Sequence, residues 1–93
     1  MKTNDVVTVV TVSGEYVGRL DNFSADGTVT LKDPRMLITG EQGIGFARGV
    51  CMTSEENPDT VLFQQYVLCT ATNKDFAAAW TKATSGIDLV VPT

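Results

Sequence analysis

The residues that could carry chemistry are quickly counted. The chain has four serines, two cysteines, eleven carboxylates and no histidine. Without histidine the commonest general base and the commonest metal ligand are both missing. Ser13, Ser24, Ser54 and Ser85 fall in turn-like or loop-like stretches, with neither a nucleophile-elbow nor an S-x-x-K context. Cys51 and Cys69 form no C-x-x-C pair and have no third ligand for zinc. Both lie in apolar, strand-like runs and are expected to be reduced core thiols. Gly40-Glu41-Gln42-Gly43-Ile44-Gly45 is glycine-rich, but it fits neither a dinucleotide fingerprint nor a P-loop and reads as a hairpin tip. Glu55, Glu56 and Asp59 are too few and too irregularly spaced for a calcium loop. The expectation is a protein without catalytic residues, cofactor or metal.

Binding chemistry has more to draw on. Gln64-Gln65 places two consecutive amides inside a hydrophobic run. In an unbroken strand one of them would face the core and need partners. At a break both amides would be exposed, or both would bond to backbone. An exposed amide offers a donor and an acceptor together, which is what base-edge recognition uses. The charge balance is unfavourable for a generic nucleic-acid binder: seven basic against eleven acidic residues, a net charge of −4. Arg19, Lys32, Arg35 and Arg48 lie in the first 48 positions among six acidic residues. They make a basic groove only if folding sorts them onto one face.

Ninety-three residues with 43% hydrophobic and 19% charged composition suffice for one domain with one small core. No secretory signal and no membrane-length apolar segment is evident, so a cytoplasmic protein without membrane contact is expected. Val6 to Val12 is wholly β-branched and predicts a strand covered on both faces. Glu15 to Phe23 predicts a second strand, with Tyr16, Gly18 and Leu20 on its apolar face. Gly18 there marks a bend or a close backbone approach. Asp26-Gly27 signals a tight turn. The strand after it, from Thr28, is broken or bulged at Asp33-Pro34 and resumes through Met36-Leu37-Ile38. Ile44–Met52 predicts a fourth strand whose small face (Gly45, Ala47, Gly49, Cys51) invites close packing, and Val61–Ala71 a long fifth. The period then changes. Asn73 is a helix N-cap, Phe76, Ala79, Trp80 and Ala83 recur at helical spacing, and Gly86 is a stop. The predicted layout is a β unit over 1–71, a helix over 72–86 and a tail over 87–93 that docks back or adds a strand.

The stretch Gly14-x-x-x-Gly18-x-Leu20-x-x-Phe23-Ser24-x-x-x-Thr28-Val29-x-Leu31 resembles the first signature of the Sm/LSm family, the RNA-binding small β-barrels that include Hfq. Ser24 stands where that family usually has Asp, and Thr28 where it usually has Asn. Phe63-Gln64-Gln65-Tyr66-Val67 resembles the Hfq segment Tyr-Lys-His-Ala-Ile, with Gln64 and Gln65 in place of Lys and His. Phe46-Ala47-Arg48-Gly49 is an alternative match to the Arg-Gly of eukaryotic Sm proteins, but it would leave too much strand-like chain after it. The family's opening helix is missing, and a helix stands at the C-terminal end instead. Over nearly its whole length the chain is similar to a group of small marine phage proteins regarded as Sm-like. They share the layout of a strand ending Leu31-Lys32-Asp33-Pro34, a long hairpin and a further strand, followed by a Thr-x-x-x-Asp-Phe helix start, here Ala71-Thr72-Asn73-Lys74-Asp75-Phe76.

The resemblance implies a mainly β fold: a small, strongly bent, five-stranded antiparallel Sm-like barrel with a C-terminal α-helix. It implies a homo-oligomeric ring of roughly five to seven subunits, since a small sheet with open edges is completed by its neighbours. It also implies binding of RNA or single-stranded DNA at a pore lined by Phe23, Ser24, Asp26, Thr28, Gln64 and Gln65, with phosphate met by Arg19 or Arg48. For a phage protein the compartment would be the host cytoplasm. The competing expectation, favoured by the negative charge, is a phage structural or assembly adaptor that uses the ring only for protein–protein contacts.

Overall fold

The β-branched run Val6–Thr11 forms the first strand, β1. Val7 and Val9 are buried and their neighbours half-buried, so the strand has one fully covered face. β2 spans Gly14–Phe23, β3 Val29–Gly40, β4 Gly43–Phe46, β5 Thr60–Phe63 and β6 Leu68–Ala71. The helix α1 follows at Lys74–Ser85. These elements come from a computed structural model that describes residues 1–85. The expected stop at Gly86 and the tail over 87–93 lie outside the described residues. The fold is mainly β, an antiparallel sheet with a C-terminal helix, as the sequence predicts.

The ladders run β6-β1-β2-β3, and β3 is long enough to hold two further partners in series. β4 pairs with its C-terminal half, Leu37–Gly40, and β5 with its N-terminal part, Val29–Lys32. Together β4 and β5 occupy the place of one strand beside β3, interrupted by an excursion over residues 47–59. The expected strand Ile44–Met52 is therefore corrected: pairing stops at the bond from Ala47 N–H to Met36 O. The cause lies on β3. Two residues there, Asp33 and Pro34, oppose the single Gly18 on β2, and Asp33 takes a positive φ of 50°. This bulge bends β3 between the segment that pairs with β4 and the segment that pairs with β5. The chain rejoins where Asp33 N–H donates to Asp59 O and Thr60 meets Lys32. Within the excursion, Ser54 Oγ accepts from Val50 N–H and contacts the carbonyls of Cys51 and Glu55, a self-contained turn. The small face expected to be packed closely is not so at Gly45, where an added Cβ would meet nothing within 4 Å.

The expected long strand Val61–Ala71 is also two strands, and Gln64-Gln65 lies at the break. β5 pairs with β3 on one side of the sheet, and β6 pairs with β1 on the other. Residues 64–67 cross between them. Tyr66 Oη donates to Gly27 O and Val67 N–H donates to Val10 O at 2.7 Å, so the crossing is tied to both sides. Phe63, Tyr66 and Cys69 pack on one cluster formed by Val7, Val9, Leu20, Val29 and Leu31. Because both end strands reach the same cluster, the sheet curls around a single core in the manner of a barrel. No ladder joins β5 to β6 among the described residues.

Helix α1 begins where expected: Asn73 Oδ1 accepts from Phe76 N–H at 2.9 Å, and Asp75 sits in the first turn. It lies over the outer face of β2. Trp80 is 1% exposed and is the buried residue of the helix, while Phe76 is half-buried. Trp80 thus docks the helix more than the pair does.

The expectation of two core thiols is corrected at Cys51, which is exposed in the 47–59 excursion. Cys69 is half-buried on β6, and both are free. Burial pushes the Cys69 thiol up from its ordinary range, so it carries little thiolate at neutral pH. Iodoacetamide at neutral pH is expected to alkylate Cys51 well before Cys69, read by mass spectrometry of peptides over time. Equal rates would place Cys69 in open solvent.

Candidate nucleic-acid interface

The turn between β2 and β3 is built by its own side chains. Ser24 N–H bonds to Thr28 O and Gly27 N–H to Ser24 O, each at 2.9 Å, and Gly27 takes a φ of +93°, open to glycine at no steric cost. Asp26 Oδ1 accepts from Thr28 N–H at 3.0 Å. The Thr28 backbone bond, followed by the Thr28 side-chain bond, holds the Asp26 carboxyl below its ordinary range. Asp26 therefore stays ionised at neutral pH. Any support it gives the turn is lost as pH falls through that lowered pKa. Asn22 Nδ2 donates to Ser24 Oγ at 3.0 Å and braces the start of the turn.

The crossing over residues 64–67 lies against this turn. Gln64 Nε2 reaches Thr28 Oγ1 at 3.5 Å, and Tyr66 holds Gly27 from the far side. Gln64 and Gln65 are both exposed, so the break in the strand turns their amides outward. Phe23, at the end of β2, is 52% exposed and presents an aromatic face next to the turn. Thr28 is buried, with its hydroxyl turned to Gln64. Of the expected residues, Ser24, Asp26, Thr28 and Gln64 thus meet, and Phe23 and Gln65 adjoin them along the chain.

Arg19 and Arg48 do not join them. Arg19 lies on β2 four residues before Phe23, roughly 13 Å along the strand. Its guanidinium donates to Asn4 O at 2.9 Å and stacks on Trp80 with Cζ 5.1 Å from the ring centroid. Arg48 sits in the excursion, where it faces Glu56 at 4.0 Å with both side chains exposed. That loop closes on itself through Asn57 N–H to Arg48 O, and among the described residues no hydrogen bond or ion pair joins Arg48 to the turn at residues 24–28. The cluster therefore holds amides, hydroxyls, an aromatic ring and one carboxylate, and no cation. It is suited to neutral hydrogen-bonding groups and flat apolar faces rather than to phosphate.

The sequence reading missed Tyr66, which ties the crossing to the turn. Its signal was present: an aromatic residue directly after two amides, where a broken strand needs an anchor. Among the described residues no group of three or more Cys, Asp or Glu is placed to hold a metal ion, and no helix is long and apolar enough to cross a membrane. No protein-family model, curated protein or solved structure matches this chain.

Proposed function

We propose that this chain is a non-catalytic, Sm-like ring subunit that binds single-stranded RNA or DNA through its bases. The observation that carries the reading is the meeting of the turn at residues 24–28 with the crossing at 64–67, through Gln64 to Thr28 and Tyr66 to Gly27, with Phe23, Gln64 and Gln65 all exposed. The strand order adds support. β5 and β6 each keep one unpaired edge among the described residues, with Leu62 on the first 64% exposed and Leu68 on the second 45% exposed. Pairing β5 of one subunit with β6 of the next satisfies both edges and covers both leucines. Head-to-tail pairing of this kind closes into a ring, for which roughly five to seven subunits are expected. The clusters would then repeat around one axis.

Light scattering at micromolar concentration should give a mass of several subunits; a monomer would remove the ring. Filter binding with oligo-U, oligo-A and single-stranded DNA at two salt concentrations tests the ligand. Because the cluster holds no cation, binding should be weak and only slightly salt-dependent, few counterions being released. Replacing Gln64 and Gln65 together by alanine should lower affinity and leave assembly intact. A double variant that binds every oligonucleotide like the wild type would take these residues out of the site.

The ionised Asp26 within the cluster favours a second reading, an adaptor ring that holds another protein. Assembly without binding to any of the three oligonucleotides at low salt would select it.

A further inference from the structure

The bulge that expels the 47–59 excursion leaves a cavity of about 370 Å³ between β3, the start of the excursion and the last turns of α1. Arg35, Phe46, Arg48, Asn57 and Thr84 are among the residues that line it. We infer that this cavity is a binding site for a terminal phosphate group, separate from the cluster at Gln64 and Gln65 and independent of what that cluster binds.

The argument begins with Arg35. Only 8% of the residue is exposed, and its Nη1 is fully buried with no hydrogen-bond partner. Buried charges are normally paired, and a lone one needs explaining. No carboxylate supplies the pair: among the described residues the ion pairs are Lys32 with Asp21 and Arg48 with Glu56. No acidic side chain lines the cavity. In a chain of net charge −4, a concave site with two arginines and no acid is a local reversal of sign.

The second arginine is well placed to complete the site. Arg48 is 78% exposed, and its 4.0 Å contact with Glu56 is too loose and too solvated to hold it firmly. It is free to turn toward an anion seated on Arg35. The Asn57 side chain adds an amide donor. Three donor groups suit the three terminal oxygens of a phosphate monoester, and two guanidinium forks suit its double charge. The buried position of Arg35 also selects a terminal group. A phosphate must enter with only one substituent trailing behind, whereas an internal phosphodiester carries chain on both sides.

The test uses the intact protein with inorganic phosphate and with ribose 5-phosphate. Thermal unfolding is followed against sodium chloride at matched ionic strength, at one protein concentration. A ligand that binds only the folded state should raise the midpoint with saturable dependence on its concentration. Arg48→Ala, an exposed change, should weaken the apparent affinity about tenfold, as loss of one charge-assisted contact predicts. Arg35→Met should abolish the response while unfolding in chloride no earlier than the wild type, since it removes an unpaired buried charge. A response to ribose 5-phosphate above that to inorganic phosphate would place an esterified phosphate in the cavity. Three results would overturn the inference: phosphate acting no differently from chloride, acetate matching phosphate, or Arg48→Ala responding like the wild type.

Discussion

Trp80→Ala should be the most damaging single truncation in this chain, lowering stability by about 3–5 kcal/mol. Three losses add at one place. The indole is 1% exposed, so its whole apolar area returns to water or leaves a void between helix and sheet. Its Nε1–H donates to Asp33 O at 2.9 Å, and that carbonyl belongs to the positive-φ residue of the β3 bulge. Without the indole a part-buried acceptor is left unpaired, which costs more than the bond was worth. The Arg19 guanidinium, 5.1 Å from the ring centroid, loses its stacking surface as well. The 12-residue helix has no other buried residue to hold it and is too short to persist undocked in water. Urea unfolding followed by circular dichroism should therefore show an earlier midpoint and a reduced helical signal already in the native baseline. Trp80→Phe separates the effects, because it keeps most of the packing and loses only the Nε1–H bond; about 1–2 kcal/mol is expected. Wild-type midpoints for both variants would mean that the helix is not docked through Trp80.

What could be read from the sequence divides along a physical line. Local chemistry was legible. The β-branched run gave β1, Asp26-Gly27 gave the turn, Asn73 gave the helix cap, and the aromatic spacing gave the buried Trp80. The gathering of Ser24–Thr28 with Gln64 was legible only through the family resemblance, because residues 36 positions apart share no local signal. What failed was strand length. Ile44–Met52 has the composition of a strand, but composition does not tell whether a partner backbone runs beside it. The bulge at Asp33-Pro34 removes that partner after Phe46. The same bulge decides where the cations go. It carries Arg48 out into the excursion and leaves Arg35 buried beside it, so the expected phosphate contact at the turn is absent and an unexpected arginine pair arises elsewhere. Gln64-Gln65 was the more reliable mark of a break, since an unbroken strand would turn one of the two amides to the core, which is costly in any fold.

Gly18 is expected to be the second most sensitive position, and there the cost should grow with side-chain size. A Cβ on Gly18 would lie 3.1 Å from Leu31 Cβ, 3.1 Å from Leu31 Cδ1 and 3.1 Å from Pro34 Cα. The last of these is backbone, locked by the proline ring and by the bulge, and cannot turn aside as a flexible side chain would. Gly18 is also the single β2 residue that faces the two bulged residues of β3, Asp33 and Pro34, so relief would require β2 and β3 to part at the bulge. The obstruction is steric rather than conformational, because Gly18 is not among the positive-φ glycines. Gly18→Ala should cost about 1–3 kcal/mol, and Gly18→Val more, since its two methyls press on Leu31 inside the core. Gly45→Ala is the matched comparison. Gly45 is a β4 residue without positive φ, and an added Cβ meets nothing within 4 Å. There the usual gain from restricting the unfolded chain applies, about 0.4–1 kcal/mol of added stability. Opposite signs for these two alanine variants in one urea series would establish that β2 and β3 touch at Gly18. Equal shifts would mean that the sheet is not bent closely there, and the barrel-like curl drawn around Leu31 would have to be abandoned.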